Sequence, residues 1–81
     1  MEELLDAREL RCPEPLMLVR NRMRELDSGQ CLRVLATDPT TTRDLTNFCR
    51  FMGHEMVLSD TESFAETGEL VYVMRKGGAP S

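Results

Sequence analysis

Leu10-Arg11-Cys12-Pro13-Glu14-Pro15-Leu16-Met17-Leu18-Val19-Arg20 leads from a loop into a helix, and its reading decides how the rest of the chain is organised. Leu16, Val19, Met23 and Leu26 recur at spacings of three, four and three, which predicts a helix over residues 13–26. Pro13 suits the first helical position, where its missing N–H costs nothing and its fixed φ matches the helix. Pro15 falls in the first turn, where N–H groups still lack intrahelical acceptors. A few residues later either proline would break the helix. Here they stiffen the corner, which predicts Cys12 at the N-cap.

Upstream, Leu4 to Arg8 reads as a short strand. Downstream, Asp27-Ser28-Gly29 carries turn chemistry and ends the helix. Cys31 to Thr37 reads as a strand with Leu32, Val34 and Ala36 on one face, and Asp38-Pro39 breaks it. Thr41 and Asp44 have capping-box spacing, with Asp a weaker partner than Glu. They open a second helix that places Leu45, Phe48, Cys49 and Met52 on one side and stops at Gly53. Glu55–Leu58 and Glu69–Arg75 are the last strands, joined by a polar connection over 59–68. Lys76–Ser81 reads as a frayed tail.

The order βαβαββ predicts an α/β (α+β) two-layer sandwich, with a four-stranded mixed sheet and two helices on one face. The first three strands run parallel if they are neighbours, and the last connection permits an antiparallel pair. Residues 1–81 are expected to form one domain.

A chain of 81 residues buries only roughly 60–65% of its unfolded surface. Its core is therefore modest, and chemistry belongs at the surface on one or two residues. Net charge −4 argues against direct contact with nucleic acid, which calls for a basic patch. It favours partners with basic surfaces. No stretch approaches the ~20 apolar residues of a membrane span, and the start lacks the pattern of a signal peptide. The expected location is the cytoplasm, where three cysteines read as reduced thiols.

The chemistry centres on Cys12. At a helix N-cap a thiol faces free N–H donors and the positive end of the helix dipole, and Arg11 adds a cation. Both predict a lowered thiol pKa, while Glu14 in the first turn works against them. The same field suits a persulfide anion. Position 15 is proline, so no Cys-x-x-Cys pair is present, and no Cys/His spacing resembles a zinc site. No cofactor or metal is expected. A single thiol that holds a group and releases it is the reading left. Met17 and Leu18 point sideways from the helix and offer either a docking patch or contact with the sheet edge. Asp38 and Arg43 are candidate partner contacts, although a strand terminator and a solvated helix charge are the simpler readings. Cys31 and Cys49 read as core filler and His54 as structural. Arg75-Lys76 reads as part of the soluble tail.

The runs Leu5-Asp6-Ala7-Arg8 and Leu10-Arg11-Cys12-Pro13-Glu14-Pro15-Leu16-Met17, one residue apart, resemble the signature of the TusA (SirA-like) sulfur-carrier family. The likeness continues through Ala36-Thr37-Asp38-Pro39, Thr41-Thr42-Arg43-Asp44, Phe48-Cys49, Phe51-Met52 and His54-Glu55, and ends at Arg75-Lys76-Gly77-Gly78. It implies a two-layer sandwich and a persulfide on Cys12, within the motif of Arg11, Pro13, Glu14 and Pro15. It also implies partners. A cysteine desulfurase loads the carrier, which passes sulfur to a TusBCD-type complex and on to 2-thiouridine at the tRNA wobble position. Relatives feed molybdenum-cofactor synthesis or sulfur oxidation. A monomer suits a thiol that must meet successive partners. The family usually has glycine where this chain has Glu9. A positive φ there would strain Glu9 by about a kcal/mol and bring its charge near Cys12.

Two rival readings remain. One is a regulatory binding module whose thiol is incidental, and the other is a thiol enzyme that reduces peroxide and would form a sulfenic acid at Cys12.

Overall fold

Leu32, Val34 and Ala36, alternate residues of strand β2 (Cys31–Ala36), are completely buried, whereas Cys31, Arg33 and Leu35 are only half-buried. That period of two sets the sheet's inner face. Leu5 and Ala7 of β1 (Glu2–Ala7) continue it, as do Leu70, Tyr72 and Met74 of β4 (Leu70–Arg75). The fourth strand is β3 (Glu55–Asp60). The computed structural model describes residues 2–77.

Helix α1 (Glu14–Glu25) lowers Val19 and Met23 onto that face, and Leu26 follows at its end. Helix α2 (Thr41–Met52) adds Leu45 and Cys49 to the same core. Leu16 and Phe48 pack against it half-buried, and Met52 stays largely outside. Gly53 stops α2 at φ 74°, a left-handed position that glycine takes without the penalty of a Cβ. The predicted two-layer sandwich is therefore observed, with one addition. Residues 64–67 form a short helix, α3 (Phe64–Thr67), inside the stretch read as a polar connection, and Phe64 packs against the core.

The strand order is β1-β2-β4-β3. β1 runs parallel to β2, and β4 pairs antiparallel with both β2 and β3. The first three strands thus point the same way, but β3 neighbours neither of the others, because β4 inserts between it and β2. Central position explains the composition of β4: Val73 is buried too, on the face away from the helices. A bulge between Met56 and Leu58 interrupts the pairing of edge strand β3.

The C-terminal residues of the fold are not a free tail as far as they are described. Arg75 pairs with Glu55 at 3.0 Å. Lys76 Nζ donates to the carbonyl of Leu26 at 2.6 Å and that of Arg24 at 3.4 Å, satisfying acceptors at the end of α1. Residues 78–81 of the predicted tail lie outside the described residues.

Topology positions the site. In the parallel pair, Ala7 at the end of β1 lies opposite Ala36 at the end of β2. The loops that follow both strands therefore emerge side by side, each feeding a helix N-terminus. Residues 8–13 and 37–40 come together although more than two dozen positions separate them.

Candidate functional site

Asp38 ties the two loops together. Its Oδ2 accepts the backbone N–H of Cys12 at 2.9 Å, and its Oδ1 accepts the N–H and the hydroxyl of Thr40, both at 2.9 Å. These bonds hold its carboxyl below the usual aspartate value, the Cys12 N–H contributing most, with Arg11 adding a favourable charge. One residue earlier, the Thr37 hydroxyl accepts the N–H of Glu9 at 2.8 Å. Glu9 sits at φ 69°, in the left-handed region that a residue with a Cβ rarely adopts.

The helix begins one residue later than predicted. Pro13, not Cys12, occupies the N-cap (φ −97°, ψ 12°), Glu14 is the first helical residue, and Pro15 falls at the second. The Cys12–Pro13 peptide is cis. Cys12 precedes the cap and is exposed. Its side chain leans across the corner to α2, where Sγ donates to Asp44 Oδ2 at 3.3 Å.

That contact reverses the expected electrostatics. The Asp44 carboxylate, by its hydrogen bond first, together with partial desolvation and the charge of Asp38, pushes the thiol above its ordinary value of 9.0. Arg43 opposes this more weakly. The lowered pKa expected from an N-cap dipole is not found, because Cys12 lies outside the cap and carboxylates are its near neighbours. Nor does the charge of Glu9 govern the shift, which follows Asp44 and Asp38.

Sequence reading missed Asp44 as a site residue by giving it to a capping box. The cap of α2 is Thr40, without a side-chain cap bond, and Thr41 is buried instead. The only signal was a carboxylate in the first turn of a helix whose start must lie beside that of α1.

The remaining candidates divide. Met17 and Leu18 are 53% and 37% exposed on α1, close to the corner in sequence. Arg43 is 74% exposed, with Nε 3.8 Å from Asp44 Oδ1. Arg11 and Glu14 are exposed at the corner. Cys49 is core, and burial raises its thiol to about 11; Cys31 is half-buried at the start of β2. His54 accepts the Gly77 N–H at 3.0 Å and rests 5.3 Å from the Phe48 ring, a structural role. Between α1 and α2 runs an open groove whose lining includes Leu16, Arg20, Asp44, Phe48, Phe51 and Lys76.

Chemically, the corner offers one accessible thiol with a proton acceptor beside it. Among the described residues no cluster of His, Cys, Asp or Glu suits a metal ion, and no helix is long and apolar enough to cross a membrane. The corner thus presents an exposed thiol at the helix entry of a small two-layer α/β protein. The family model for sulfurtransferase TusA matches residues 3–76, nearly the whole length. The chain belongs to the TusA sulfurtransferase family, whose members carry sulfur to partner proteins.

Proposed function

We propose that the protein carries sulfane sulfur as a persulfide on Cys12, receiving it from a cysteine desulfurase and passing it to a TusBCD-type relay complex. The end use is 2-thiouridine at the tRNA wobble position, reached without direct contact between the carrier and RNA. One domain over residues 1–81 acts as a monomer in the cytoplasm, needs no cofactor, and has no turnover on a small substrate alone. The observation that carries this reading is an exposed thiol at the entry of α1, in a chain matched to the TusA family over residues 3–76.

Loading is attack by Cys12 sulfur on the outer sulfur of the donor persulfide, and the donor cysteine leaves as a thiol. Donation repeats the step with Cys12 as the leaving group. Exposed Met17 and Leu18 support docking of partners around the thiol, and the flexibility of methionine suits a surface that meets several proteins in turn. Net charge −4 supports the exclusion of tRNA.

The relay is tested by supplying sulfur-labelled cysteine, a desulfurase and the carrier to a TusBCD-type complex. Label should reach the complex with the native carrier and not with Cys12→Ser. Transfer of equal extent with the variant would refute the route through Cys12.

A further inference from the structure

A carrier has to release its sulfur as well as accept it, and the groups around Cys12 bear on that balance. From α2, Asp44 Oδ2 lies 3.3 Å from Sγ. From the β2–α2 connection, Asp38 grips the Cys12 backbone at 2.9 Å. The facing cation, Arg43, is largely in solvent and reaches Asp44 only at 3.8 Å. On the Cys12 side, Arg11 acts on Asp38, and Glu14 is exposed at the start of α1. The nearest charges are therefore anionic, an arrangement opposite to one that would store an anion.

We propose that Asp44 is a positioning residue that biases Cys12 toward handing sulfur on, by holding the empty thiol protonated and setting a carboxylate against the anion of the loaded persulfide. This rests on Cys12 being the residue that bears sulfur. The empty state has an S–H that donates to Oδ2. The loaded state has no such proton, and its terminal sulfur carries negative charge next to Asp44 and Asp38. The first state is favoured over the second.

The proton balance follows. On loading, a bond forms between Sγ and the donor's outer sulfur while the donor's S–S bond breaks. The Cys12 proton passes to the Asp44 carboxylate and then to the departing donor thiolate. On donation, the acceptor sulfur bonds to the outer sulfur, the S–S bond to Cys12 breaks, and the acceptor's proton returns to Sγ by way of the same carboxylate. One sulfur and one proton change places, and no oxidant or reductant is consumed.

Asp44→Asn removes the charge and keeps the shape, while Asp44→Glu restores the charge. Two measurements apply to each variant, after circular dichroism has established that it is folded. The first is the pH dependence of Cys12 alkylation, read on the Cys12 peptide so that Cys31 and Cys49 do not interfere. The Asn variant should react roughly five- to tenfold faster than native protein near neutral pH, with its midpoint displaced downward, and the Glu variant should behave like native. The second is the fraction of Cys12 loaded at equilibrium with a desulfurase persulfide. It should rise in the Asn variant and return to the native level in the Glu variant. An Asn profile that superimposes on the native one, or moves upward, overturns the proposal, and so does an unchanged loaded fraction. Failure of the native protein to load at all would instead overturn the carrier reading, since the alkylation profile does not depend on it.

Discussion

The backbone N–H of Cys12 is held by Asp38 Oδ2 at 2.9 Å, across 26 positions of sequence, and this bond fixes where the thiol sits relative to α2. The same carboxylate organises the turn into α2 through Thr40. Asp38→Ala should therefore lower stability by about 1–2 kcal/mol, judged from three lost hydrogen bonds at a partly exposed corner. It should also loosen the Cys12 loop. Urea unfolding measures the first effect, and amide hydrogen exchange at Cys12 the second; native-like exchange in the variant would show that the bond does not anchor the loop.

Acid should weaken the fold through two aspartates. Arg8, by side-chain and backbone hydrogen bonds, lowers Asp6 to about 2, and the N–H groups of Cys12 and Thr40 lower Asp38. Carboxylates with depressed folded-state values contribute stability above their unfolded value of 3.8, and that contribution disappears as pH falls through the folded value. The urea midpoint should fall as pH drops below about 4. Asp6→Asn and Asp38→Asn together should flatten that decline. An equally steep fall in the double variant would contradict the assignment.

Glu9→Gly should stabilise the protein by about 0.5–1 kcal/mol. Relief of a left-handed conformation at φ 69° outweighs the extra freedom that glycine gives the unfolded chain. Cys12 reactivity should change little, because Asp44 and Asp38 raise the thiol. A loss of stability on this substitution would show that Glu9 is not strained.

Lys76 is a helix cap reached from the far end of the chain. Lys76→Ala leaves the carbonyls of Leu26 and Arg24 without their ammonium donor and should cost about 1 kcal/mol in thermal or urea unfolding. Lys76→Arg, which keeps charge and donors, should lose less. Equal stability of the native and Ala proteins would mean that water replaces the cap at no cost.

Local pattern made most of the fold legible. Alternation in Leu32, Val34 and Ala36 and the helical spacing of Val19, Met23 and Leu26 point at the same core from two sides, and all six are buried. The place of β4 between β2 and β3 was not legible, since strand order depends on pairing between distant segments. The site divides in the same way. A proline corner led to Cys12 from neighbouring residues alone. Its charge environment could not be read so, because Asp44 lies 32 positions away and arrives only through the parallel register of β1 with β2. The one-residue error in the cap had a local cause: Pro13 takes a non-helical ψ of 12° and becomes the cap itself.

The central claim is that one sulfur atom is held at Cys12. Incubating the protein with a cysteine desulfurase and cysteine, trapping persulfides by alkylation and mapping the peptides by mass spectrometry tests it most directly. A single added sulfur on the peptide that contains Cys12, absent from Cys12→Ser and from the Cys31 and Cys49 peptides, is the predicted result. No added sulfur in the native protein, or the same gain in Cys12→Ser, would contradict it.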